Sequence, residues 1–140
     1  MRTVIRTDKA PKPAASYEQA IRFGDLIFVS GQVANNPKTG KMVAGSIENQ
    51  VTQALRNIEA IVEAAGGDRS SIVRCGVFLA DLNEFAAMNR AYNAFFGQSL
   101  PARTTVQAGL GTLRVEIDAI AVRHRKSGRS TSAKNGRASK

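Results

Sequence analysis

Between Ser46 and Gly67 an apolar residue returns every three or four positions: Ile47, Val51, Leu55, Ile58, Val62 and Ala65. That spacing gives a helix one apolar face. Ser46 can cap its first turn, and Gly66-Gly67 ends it. A second stretch, roughly Asn83–Phe96, repeats the pattern with Phe85, Met88, Tyr92 and Phe95. Neither helix can leave its stripe in water, so each needs a sheet face to lie on. Six runs supply strands: Thr3–Arg6, Tyr17–Arg22, Leu26–Ser30, Ile72–Leu79, Arg103–Ala108 and Leu113–Val122. Phe23-Gly24-Asp25 reads as a hairpin turn, Ala10–Ser16 as a loop with two prolines, and Asn35–Gly40 as a segment dense in turn formers. The order β-β-β-α-β-α-β-β predicts an α+β fold, a mixed β-sheet with both helices packed on one face. The other face keeps many apolar residues, which predicts an oligomer built around it.

The 140 residues suit one domain plus a tail. No apolar run reaches the ~20 residues that cross a bilayer, and the amino terminus has no hydrophobic signal region. A cytoplasmic location without membrane contact is therefore expected. Cys75, the single cysteine, cannot form an internal disulfide and reads as a buried small hydrophobe. With one cysteine and one histidine, His124, the usual zinc site is excluded within one chain. His124 itself reads as a solvated residue at the body–tail junction. The net charge of +9 is concentrated at one end: seven basic residues and no acid lie in 123–140, while 13 basic residues face 11 acidic ones elsewhere. We therefore read residues 1–123 as the domain and 124–140 as a basic, disordered tail. The tail could touch nucleic acid through its charge, but no aromatic residues interleave to stack on bases, so the reading adopted is a solvated extension.

The chemistry concentrates in PARTTV (101–106) and VEIDAIAV (115–122). The short link Gly109–Thr112 suggests that the last two strands form a hairpin. With Leu110 and Gly111 at its tip, Thr105 lies opposite Glu116 and Arg103 opposite Asp118. Alternation then puts Arg103, Thr105, Arg114, Glu116 and Asp118 on one sheet face, with opposed Cβ atoms about 5 Å apart. A cation, a hydroxyl and a carboxylate would converge there. A slip of one residue would send Glu116 to the other side. A solvated strand with a cross-strand charge pair is the plainer alternative.

The segments SYEQAI, FVSGQV, NPKTG, NIEAIVEAAGG, VFLADLNEFAAMN, YNAFF, PART and VEIDAIAV, in that order, resemble the RidA/YjgF family of reactive-intermediate (enamine/imine) deaminases, from about Asp8 to Arg123. The resemblance implies a chorismate-mutase-like fold and a homotrimer with three intersubunit sites. It also implies 2-iminobutanoate/2-iminopropanoate deaminase activity, the hydrolysis of 2-aminoacrylate-type imino acids without a metal or other cofactor. Carried over residue by residue, it makes Arg103 the substrate-anchoring arginine and Glu116 the holder of the attacking water. Tyr17 becomes the pocket tyrosine, Ser30-Gly31 the lining loop, and Asn89 the asparagine of the second helix. Three departures are visible. Thr105 stands where many members have a cysteine, Ala15-Ser16 replaces a Gly-Pro before the tyrosine, and the final connecting loop is two residues shorter.

The residues suit that chemistry. A guanidinium grips the carboxylate of a small imino acid through two parallel hydrogen bonds. A carboxylate such as Glu116 can orient a water and accept its proton. Thr105 offers a hydroxyl but is a poor nucleophile unaided, and Ser30 has no histidine base, so a hydrolase triad is not expected. Other readings are a pathway-specific deaminase, such as one acting on 2-aminomuconate, an RNA-interacting or RNA-cleaving protein, and a non-catalytic binding trimer.

Overall fold

In the computed structural model, which describes residues 1–125, the chain forms six strands and two α-helices. They are β1 (Arg2–Ile5), β2 (Ala20–Phe23), β3 (Leu26–Gln32), α1 (Ile47–Ala64), β4 (Ile72–Leu79), α2 (Phe85–Phe96), β5 (Ala102–Gln107) and β6 (Val115–Val122). One mixed sheet takes the order β1-β2-β3-β6-β4-β5, and both helices lie on one face of it. This is the α+β architecture and element order expected.

Local chemistry explains the best-defined ends. Ser46 Oγ accepts a hydrogen bond from Asn49 N–H, as an N-cap should, and Gly66 follows α1 with φ +99°. Arg22 then donates to Ala65 C=O at 2.9 Å, putting a cation on the negative end of α1. Gly24, at φ +63°, makes the tight turn of the β2–β3 hairpin, in which Phe23 pairs with Leu26. Ile58, Ile61, Val62 and Leu55 of α1 and Met88 and Tyr92 of α2 pack onto Ile27, Val77, Leu79 and Ile117 of the sheet, all fully or nearly buried.

Two expectations are corrected. The strand read from Tyr17 begins only at Ala20. Buried Gln19 explains this: its amide accepts from Thr7 N–H and donates to Thr7, Ala10 and Pro11 carbonyls, so the chain before it is bonded to a loop rather than to a strand. More consequentially, β5 and β6 do not form a hairpin. β5 runs parallel to β4, pairing Cys75 with Arg103 and Val77 with Thr105. β6 runs antiparallel to β4 on its other side, pairing Gly76 with Asp118 and Phe78 with Glu116. The β4–α2–β5 segment is a crossover unit, and parallel strands joined by a helix lie side by side. The link after β5 therefore passes over the end of β4, where Ala108 N–H donates to Leu79 and Ala80 N–H to Arg114.

On the helix-free face Phe23, Leu26, Phe28 and Val106 stand exposed. At its carboxyl end the described chain is tied down. His124 N–H donates to Gly66 C=O, His124 pairs with Asp68 at 2.8 Å, and Arg125 pairs with Asp25 at 2.6 Å. The expectation of disorder beyond this point falls on 126–140, outside the described residues.

Candidate functional site

The sheet register divides the anticipated residues into two groups. Residues paired across adjacent strands point the same way. Arg103 is level with Cys75, and Thr105 with Val77, both buried beneath the helices, so Arg103 and Thr105 point to the helix side. Glu116 is level with Phe78 and Asp118 with Gly76, so both point to the open face. The expected oppositions of Arg103 with Asp118 and Thr105 with Glu116 are thus overturned: β4 stands between the strands, and the two sets lie on opposite faces of it.

On the helix side, α2 receives the arginine. Arg103 Nη1 donates to Asn89 Oδ1 at 2.9 Å and approaches Met88 Sδ at 4.0 Å. The guanidinium carbon lies 4.6 Å from the Tyr92 ring centre and 5.4 Å from that of Phe85. Leu100, Pro101, Asn89, Asn93 and Tyr92 line a cavity of about 310 Å³ with Arg103. Thr105 Oγ1 and the Tyr92 hydroxyl are buried without a hydrogen-bond partner among the described residues. Burial also pushes the Tyr92 hydroxyl upward in pKa, and pushes the Cys75 thiol up to about 11. Cys75 is therefore a core residue with almost no thiolate near neutral pH.

On the open side, the site is shaped by a bulge. β3 shifts register between Val29 and Gln32, so Ser30 and Gly31 have no paired residue on β6. The bulge brings Gly31 under Glu116: a Cβ on Gly31 would lie 2.9 Å from Glu116 Cδ and would overlap the carboxylate. Ser30 Oγ–H donates to Glu18 C=O at 2.6 Å and Ser30 N–H to Gln19 C=O at 3.0 Å, which fixes the bulge against the preceding segment. Its hydroxyl is thus engaged in structure. Tyr17 and Ser30 border an open cavity of about 680 Å³ together with Phe28, Ile21 and Arg2. Tyr17 is 45% exposed, and its hydroxyl accepts from Ala14 N–H. Asp118 accepts from Gly76 N–H at 3.0 Å, whereas Glu116 has no such bond among the described residues.

The two groups are therefore Arg103, Asn89 and Thr105 on the helix side, and Tyr17, Ser30, Gly31 and Glu116 on the open side. Within one chain the sheet does not unite them. What strand parity alone missed is the aromatic support of Arg103. Its signal was present in the spacing Phe85–Asn89–Tyr92, at i, i+4 and i+7, but an aromatic stripe on a helix reads first as core. No group of three or more histidine, cysteine or acidic side chains that could hold a metal ion occurs among the described residues, and none of their helices is long and apolar enough to cross a membrane.

Comparison with known proteins places the fold in a family. Residues 7–123 match the family described as endoribonuclease L-PSP. A RutC family protein of Pyrococcus horikoshii is 45% identical over 123 residues, covering 86% of this chain and 98% of the relative. A mouse (Mus musculus) protein named 2-iminobutanoate/2-iminopropanoate deaminase is 42% identical over 125 residues, 87% of this chain and 92% of its own. The crystal structure of the YjgF gene product of E. coli superposes with a TM-score of 0.82 at 42% identity, covering 87% of this chain and 99% of that one. From the match over residues 7–123, these identities and the superposition, the chain belongs to the endoribonuclease L-PSP family, also called the RidA/YjgF family.

Proposed function

We propose that this protein is a cytoplasmic imine/enamine deaminase that hydrolyses small 2-imino acids to 2-keto acids and ammonia, working as a homotrimer with sites between subunits. The observation that carries this reading is a pair of unspent polar groups. Arg103 has Nη1 bonded to Asn89, while Nε and Nη2 have no hydrogen-bond partner among the described residues. Glu116 sits over Gly31, and its carboxylate has no hydrogen-bond partner among the described residues. Two further facts support it: a relative at 42% identity carries the deaminase name, and the sheet face bearing Glu116 also bears exposed Phe23, Leu26 and Phe28. An exposed apolar sheet face of this kind is what a subunit contact covers.

In this mechanism Arg103 grips the substrate carboxylate and fixes the C2 carbon for attack. Glu116 of the partner subunit orients a water and accepts its proton as the oxygen adds to the iminium carbon. The C2–O bond forms and the C=N bond becomes single. Proton return to nitrogen makes it a leaving group. The C–N bond then breaks, ammonia departs, and the hydroxyl proton is lost as the keto group forms. Tyr17, Ser30 and Gly31 wall the substrate from the open side, Asn89 steadies the arginine, and Thr105 lies beside it with a hydroxyl in reserve.

The test is a coupled assay in which a lyase generates 2-aminoacrylate from serine, with imino-acid decay followed by semicarbazone trapping. Faster decay with the wild-type protein, lost in Arg103→Ala, is expected. No acceleration with several small imino acids would overturn the reading in favour of a specialised substrate or a non-catalytic binder. Cleavage of RNA that survives Arg103→Ala would favour a ribonuclease instead.

A further inference from the structure

We infer that Tyr92 is a positioning residue that holds the plane of the Arg103 guanidinium, so that, with Nη1 taken by Asn89, the carboxylate is gripped side-on by Nε–H and Nη2–H. The inference rests on the reading of Arg103 as the carboxylate anchor and deepens it. A guanidinium has two edges able to bind a carboxylate bidentately, Nη1 with Nη2 and Nε with Nη2. The first edge is closed here because Nη1 is committed to Asn89 Oδ1 at 2.9 Å and faces Met88 Sδ. Rotation of the plane is opposed from below. The Tyr92 ring centre lies 4.6 Å from the guanidinium carbon, within the ~6 Å over which an aromatic face attracts a cation. Phe85, 5.4 Å away, adds a second ring.

Tyr92 is suited to the task because it is tightly packed. It is 2% exposed, and its ring packs against Phe96 with centres 4.8 Å apart. Phe85, Asn89 and Tyr92 recur at i, i+4 and i+7, so α2 presents ring, amide and ring along one line under the arginine. The hydroxyl plays no part in this: it makes no hydrogen bond to Arg103 or Asn89. The working feature is the aromatic face. That separates Tyr92 from an ordinary core residue, for which size alone would matter.

The experiment compares wild type, Tyr92→Phe and Tyr92→Leu. The Arg103 Nε–H resonance is followed by 1H–15N NMR during titration with 2-oxobutanoate, beside steady-state imine hydrolysis. We expect Nε–H to move strongly downfield on binding in wild type and Tyr92→Phe. In Tyr92→Leu, affinity and KM should worsen about 3- to 30-fold with kcat nearly unchanged. Unchanged binding and an unchanged Nε–H shift in Tyr92→Leu would overturn the inference while leaving the deaminase reading intact. Wild type that binds the keto acid through Nε–H yet hydrolyses no imine would overturn the deaminase reading and support this one. Wild type that binds no carboxylate would overturn both.

Discussion

Gly31 and Glu116 share one volume of space: the room left by the missing side chain of the glycine is filled by the carboxylate of the glutamate across the β3 bulge. Gly31 has no positive φ, so close approach, and not backbone conformation, is what requires glycine here. Alanine at this position would push the carboxylate aside without straining the chain. Gly31→Ala is expected to keep the wild-type circular dichroism spectrum and to lower kcat for imine hydrolysis by ~10²-fold or more, as loss of a positioned general base does. Wild-type kcat in this variant would remove Glu116 from the role of base.

Opposite faces make a site shared between subunits open to a genetic kind of test. Arg103→Ala and Glu116→Gln should each be nearly inactive alone. If each site takes its arginine from one subunit and its glutamate from the next, unfolding and refolding the two variants together creates intact sites. An equal mixture of trimers should then recover roughly a quarter of wild-type activity. A site built within one chain would recover none, because every chain carries one lesion.

The Cys75 thiol, raised to about 11 by burial in an apolar strand, should resist thiol reagents. At pH 8, native protein should react with a disulfide reagent at least ~100-fold more slowly than protein in urea, where an ordinary thiol pKa near 8.5 returns. Rapid native-state labelling would mean that β4 opens readily.

Acid should loosen the junction between the β2–β3 turn and the end of β6. Hydrogen bonds from Arg125 and Arg123 hold the Asp25 carboxylate below its ordinary range, and Ser70 and His124 do the same for Asp68. A group with a lowered folded-state pKa stabilises the fold above its unfolded value, near 3.9, and loses that contribution as pH falls through the folded value. The urea midpoint should therefore decline modestly below about pH 4, and the decline should be shallower in Asp25→Asn. Equal declines in both proteins would show that this ion pair is too solvated to matter, as exposed pairs often are.

Much of this architecture was legible beforehand because its signals are local. The α1 stripe with Ser46 and Gly66 at its ends, the β4 run broken only by Arg74 and Gly76, and the turn at Gly24 each depend on neighbours in sequence. Alternation within each strand was also readable: Arg103 and Thr105 do share a face, and so do Glu116 and Asp118. The relation between those two strands was not. A short glycine-containing link looks like a hairpin turn, but the β4–α2–β5 crossover places β5 at the sheet edge and leaves β4 to separate it from β6. The strand–helix–strand order pointed to that pairing, but the short link offered a competing hairpin signal, and which strand finally lies between β5 and β6 depends on contacts far apart in sequence. The support of Arg103 by Tyr92 was hidden for a similar reason, since a helical aromatic looks alike whether it meets an aliphatic side chain or a cation.

The insertion of β4 has one more effect. Arginine and glutamate are natural ion-pair partners, and two strands joined by a short link could have let them neutralise each other as the chain folds. With a strand between them and each facing its own side, a lone subunit cannot quench its own charges. If the sites lie between subunits as proposed, each chain brings a cation on one side of its sheet and a carboxylate on the other, and the two charges meet only on assembly.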